Sequence, residues 1–66
     1  MYATVNGERR ELRSGATVAE LLRNLKVEGP GIAVAVNERV VRSSRFDEHR
    51  LSEGDVVEII RAVAGG

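Results

Sequence analysis

The chain has 66 residues, 42% apolar and 30% charged, which suits one small folded domain and leaves no room for a second. Ten Lys+Arg balance ten Asp+Glu with the signs interspersed, and only Tyr2 and Phe46 are aromatic, so neither a phosphate-binding face nor a base-stacking platform is expected. The absence of cysteine excludes a disulfide framework, a thiolate metal cage and a cysteine nucleophile.

Residues 3–8 read as a strand running into a turn at Asn6-Gly7, a pair that tolerates positive φ and favours a tight hairpin. The return strand is expected over 9–13, polar except for an inward Leu12, as suits a sheet edge. Thr17 then offers an N-cap, with Glu20 placed to complete a capping box. Val18, Leu21, Leu22 and Leu25 follow at i, i+3, i+4 and i+7, the apolar stripe of one amphipathic helix. Gly29-Pro30-Gly31 is expected to end the helical region. Ile32–Val36 reads as a central strand, with Ile32, Val34 and Val36 on one face and Ala33 and Ala35 on the other. Asn37-Glu38 turns the chain into a brief strand over 39–42. Residues 43–51 show no clean period, although Phe46 and Leu51 are placed to pin the loop to the core. After a turn over 52–55, residues 56–62 form a last β-prone strand, and residues 63–66 are expected to be a flexible tail.

One helix among four or five strands points to a two-layer α+β domain. A right-handed crossover places the third strand in the same sheet as the hairpin, with the last strand interior, beside the first. A mixed sheet of this kind wrapped around one helix is the β-grasp, or ubiquitin-like, arrangement. The domain is expected to span 1–62. The longest apolar run, Ile32–Val36, is far below the roughly 20 residues that cross a bilayer. Residues 1–4 lack the charged-then-apolar start of a secretory signal, so a cytoplasmic location is expected.

Catalytic chemistry is hard to find. His49 stands alone, without a serine, cysteine or second histidine at a useful spacing, and reads as a solvated loop residue. Gly29-Pro30-Gly31 lacks the Gly-Lys-Ser/Thr that a phosphate loop needs, and its proline removes an amide donor. Glu53 and Asp55 belong to a turn in a domain too small to enclose a carboxylate cleft. No catalytic residue, metal site or cofactor is expected. The feature that stands out is the Gly65-Gly66 end. Average glycine usage yields such a pair at a terminus in about one chain in 200. The bland reading is a frayed terminus. The sharper one is chemical: the Gly66 carboxylate has no β-carbon behind it, so it fits a narrow active site and presents an unhindered carbonyl to a nucleophile. Ala64 and Gly65 extend a slender neck behind it. An accessible carboxylate without catalytic groups suits a carrier better than an enzyme.

The helix on one face leaves the other sheet face partly open. With Val57 and Ile59 turned to the helix, Val56, Glu58 and Ile60 point outward, joined by Ala33 or Ala35 of the neighbouring strand. These residues form the expected partner-docking patch.

The order of these signals resembles the thiamine-biosynthesis sulfur carrier family, ThiS. The resemblance rests on Asn6-Gly7-Glu8, Thr17-Val18-Ala19-Glu20-Leu21-Leu22, Val36-Asn37, Gly54-Asp55-Val56-Val57-Glu58-Ile59 and the final Val63-Ala64-Gly65-Gly66, and covers essentially the whole chain. Arg42-Ser43 departs from it, since relatives often carry a proline after the valines; the departure touches a loop. The resemblance implies an adenylating enzyme similar to ubiquitin-activating enzymes (ThiF-type), which activates the Gly66 carboxyl with ATP. It further implies a persulfide sulfur donor, a thiocarboxylate at Gly66, and thiazole synthase (ThiG-type) as the consumer. Carriers with the same tail chemistry remain alternatives: the small subunit of molybdopterin synthase, a tRNA-thiolation carrier, or a protein modifier, for which Lys26 would be the only lysine on the chain. A plain interaction domain with a frayed end is the fourth reading.

Overall fold

The computed structural model describes residues 1–61. Among the described residues, strands β1 (Tyr2–Val5), β2 (Glu8–Glu11), β3 (Ile32–Val36), β4 (Arg39–Val41) and β5 (Val56–Arg61) form one mixed sheet in the order β2-β1-β5-β3-β4, and one α-helix packs on one face. The first hairpin pairs β1 with β2. Leu12 continues the pairing one step further, its amide donating to the Met1 carbonyl at 2.7 Å and its carbonyl accepting from the Met1 amino group at 2.9 Å, with the side chain turned into the core. Both hairpin turns have the positive φ values that match the twist of flanking strands, Asn6 and Gly7 at 49° and 83°, Asn37 and Glu38 at 51° and 68°. β3 (Ile32–Val36) and β4 (Arg39–Val41) form the second hairpin. β5 (Val56–Arg61) lies between them, parallel to β1 and antiparallel to β3.

Glu38 is the unusual member of these turns, since the left-handed conformation costs a side-chain-bearing residue roughly 1 kcal/mol that glycine avoids. Glu38→Gly is expected to raise the unfolding free energy by a few tenths to about 1 kcal/mol, the gain being reduced by glycine's freer unfolded chain. A urea titration checks the sign.

Helix α1 (Val18–Asn24) starts where expected, with the Glu20 amide donating to the Thr17 hydroxyl at 3.2 Å. The other half of the capping box does not form. Arg13 instead grips the Glu20 carboxylate through Nε and Nη2, both at 2.7 Å, a charge-assisted fork that outcompetes a neutral amide. That grip holds the Glu20 carboxyl below its usual range. The aperiodic loop has a fixed path for a related reason. The Phe46 and His49 carbonyls accept the amides of Ala19 and Val18, donors that an α-helix leaves unpartnered at its start. Within this loop, residues Ser43–Arg45 form a 3₁₀ turn.

The helix also ends earlier than Gly29 implies. Lys26 adopts φ 58°, its amide bonding the Arg23 carbonyl at 3.1 Å while the Val27 amide bonds Leu22 at 2.9 Å. This is a Schellman closure with lysine at the position usually held by glycine, and it turns Val27 back onto the core. Leu25 becomes the C-cap and is only half-buried, whereas Leu21 and Leu22 are buried. The core joins them to Val18 and Ala16, to Ala3, Val5, Val34, Val36, Val41 and Val57 from the sheet, and to Leu12 and Leu51. Among the described residues no polar side chain is buried.

Candidate functional site

Strand alternation builds the site. Val57 is fully buried beneath the helix and Ile59 packs against the core, so Val56, Glu58 and Ile60 fall on the opposite face of β5. The register places Ala33 opposite Ile60 and Ala35 opposite Glu58, while Ala35 also faces Val40 of β4. The expected outward residues therefore share one surface. Val56 is 48% exposed and Ile60 62%; Ala33 is exposed and Ala35 half-buried. The two alanines keep the centre low. The Glu58 carboxylate stands among these apolar groups without a hydrogen bond or ion pair among the described residues.

Val40 extends the patch and is 78% exposed. Alternation along the chain does not reveal it, because only the pairing of β4 with β3 sets it beside Ala35. At the other end, Asn37, Glu38, Val56 and Glu58 line a shallow depression of about 370 Å³.

Two asparagines that read only as turn formers hold β5 in position. The β1–β5 ladder stops at Val5–Val57, and beyond it the Asn6 side chain takes over. Its Oδ1 accepts the Ile59 amide at 2.8 Å and its Nδ2 donates to the Ile59 carbonyl at 3.3 Å. From the second turn, Asn37 Oδ1 accepts the Val56 amide at 2.9 Å, and its Nδ2 donates to Asp55 Oδ1 at 3.0 Å. Each asparagine satisfies a positive-φ turn and a strand backbone at once.

Ala64, Gly65 and Gly66, the expected neck and carboxyl site, lie outside the described residues, as does the proposed boundary at residue 62. His49 is half-buried, and its backbone carbonyl is engaged with the Val18 amide. Among the described residues no three His, Asp or Glu side chains gather as metal ligands. Among them, too, no helix is long and apolar enough to cross a membrane.

The sequence model of the ThiS family matches residues 3–66, which carries the match through Gly65 and Gly66. The chain belongs to the ThiS family. It is similar to the sulfur carrier protein ThiS of Thermus thermophilus, 39% identical over 62 residues that span 94% of this chain and 95% of that protein. A ThiS crystal structure from Geobacter metallireducens superposes with a TM-score of 0.84 at 33% identity, covering 100% of both chains. The five-stranded β-grasp of the family is therefore the fold of this chain. A further relative is a thiazole synthase of Paramagnetospirillum magneticum, 33% identical over 66 residues, which are 100% of this chain and 20% of that protein. A ThiS-like stretch thus occurs within a polypeptide named as a thiazole synthase.

Proposed function

We propose that this ThiS-family chain carries sulfur for thiazole formation in thiamine biosynthesis, on the carboxyl of Gly66. The observation that carries this reading is the family match, which runs over essentially the whole chain and includes the Gly65-Gly66 end. A Gly66 carboxylate oxygen attacks the α-phosphorus of ATP and pyrophosphate leaves. A protein persulfide then attacks the acyl carbon, AMP departs, and a thiol cleaves the remaining sulfur–sulfur bond to leave a thiocarboxylate. The carrier contributes no acid, base or metal to these steps; it is a cosubstrate, and an ATP-dependent cycle of this kind belongs in the cytoplasm. Glycine at residues 65 and 66 keeps the reacting end thin enough for a partner's cleft.

The partners in this reading are a ThiF-type adenylating enzyme, a persulfide donor and a ThiG-type thiazole synthase. The ThiS-like stretch within one thiazole synthase supports the last of them. The outward face of β5 supplies the docking surface, since Val56 and Ile60 are apolar, exposed and on the strand that leads toward Gly66. Such residues contribute by losing water at the centre of an interface. Ile60→Asp is expected to weaken binding to the adenylating enzyme by about tenfold or more. Its thermal midpoint should stay near wild type because the side chain is already 62% exposed. Isothermal titration together with a thermal melt checks both halves; unchanged affinity, or an unfolded variant, removes Ile60 from the docking face. Formation of thiazole from the carrier, ATP, both enzymes and a sulfur source tests the function as a whole.

A further inference from the structure

We propose that the outer edge of β4 is a second protein-docking site, which accepts an extended acidic segment of a partner as an added strand. β4 is the last strand on its side of the sheet. Its hairpin pairs Val36 with Arg39, Ala35 with Val40 and Val34 with Val41 across a two-residue turn. In such a hairpin the pair beside the turn is hydrogen-bonded and the next is not, so the Val40 N–H and C=O face away from β3. No hydrogen bond among the described residues uses either group. The Val40 side chain beside them is 78% exposed.

The chemistry around this edge specifies the occupant. An open groove of about 450 Å³ runs along β4, and Arg39, Arg42, Arg45, Glu48 and His49 contribute to its walls. Glu48 engages Arg45 at 3.1 Å, while Arg39 and Arg42 form no ion pair among the described residues. The opposite edge of the sheet shows what simple protection against strand stacking looks like. β2 reads Glu-Arg-Arg-Glu, with Arg10 and Glu8 3.5 Å apart, so its charge cancels. Charge alone, lysine above all, is a common protection of an edge against stacking; at β4 the charge lines a groove beside the outward main-chain groups. The β4 edge carries an excess of guanidinium forks, which match carboxylates, next to free main-chain groups, which match an extended backbone. Only an acidic segment in strand conformation satisfies both together. β3 separates β4 from β5, so the outward main-chain groups of β4 lie apart from those of β5, while the Val40 side chain borders the outward patch as well.

The test uses the isotope-labelled full chain and a synthetic peptide of alternating glutamate and valine, with the lysine–valine peptide as control. The acidic peptide should shift the Val40 amide saturably, lose affinity as salt rises, and leave β2 unperturbed. The lysine peptide should do none of this. The double variant Arg39→Glu/Arg42→Glu should bind about tenfold more weakly or worse. Val40→Pro, which removes the outward amide while sparing the bonds to β3, should also lose the peptide, read at the Val41 amide. The proposal is overturned by no saturable shift at Val40, by equal shifts with the lysine peptide, or by full binding to either variant. Inorganic phosphate reproducing the same shifts would reduce the groove to a simple anion site. Concentration-dependent shifts without peptide, with a dimer mass, would assign the edge to a second copy of the chain; either result also overturns it.

Discussion

Leu21→Ala is expected to lower the unfolding free energy by about 2–5 kcal/mol, the cost of a leucine deleted from a core that cannot collapse around the cavity. Leu21 is fully buried in the middle of α1, and that helix has only seven residues. A helix this short is held by packing rather than by its own propensity. A domain of this size has roughly 3–10 kcal/mol in total, so the variant should sit close to its unfolding midpoint without denaturant. Leu25→Ala should cost less, because Leu25 is half-buried at the C-cap. Urea unfolding of the two variants beside wild type checks the ranking. If Leu21→Ala moved the midpoint no further than Leu25→Ala, the helix would not be the main clamp on the sheet.

Features set by neighbours along the chain are legible in the sequence itself. Asn6-Gly7 names its turn, Val18, Leu21 and Leu22 name the buried face of the helix, and alternation along β5 separates Val57 and Ile59 from Val56, Glu58 and Ile60. The remainder depends on contacts between distant residues. Glu20 has Thr17 as an obvious local partner, yet the chain entering the helix brings Arg13 to it instead. Glycine preference points to Gly29 as the helix stop, but the apolar Val27 makes an earlier turn at Lys26 more favourable by returning to the core. Asn6 and Asn37 each belong to a local turn pattern that says nothing of the strand backbone they also hold, with Ile59 53 residues away from the first. The exposure of Val40 follows only from the place of β4 at the end of the sheet.

Carriers that share a glycine-terminated tail diverge in who consumes the sulfur. A molybdopterin synthase small subunit or a tRNA-thiolation carrier would acquire sulfur by the same steps as those proposed for this chain. Thiazole synthase distinguishes them, because only the thiamine carrier should lose its sulfur to that enzyme and form the thiazole ring.

Deletion of Gly66 is expected to abolish sulfur loading while leaving the fold intact, the largest functional effect that a single-residue change should produce in this chain. Among the described residues the buried core runs from Ala3 to Val57, and the sequence carries no apolar residue after Ala64. Stability should therefore not depend on residue 66, and the thermal midpoint of the shortened chain should match wild type. Loading is different: after deletion, the carboxyl that meets ATP lies one residue short of where the partner's cleft receives it. Intact-mass measurement after incubation with adenylating enzyme, ATP and a persulfide donor is the most direct test. Wild type should gain the mass difference between one sulfur and one oxygen, and lose it again when thiazole synthase and its substrates are added. The chain lacking Gly66 should show neither change. Sulfur gained by the shortened chain, or never gained by wild type, would contradict the assignment of Gly66 as the sulfur-carrying end.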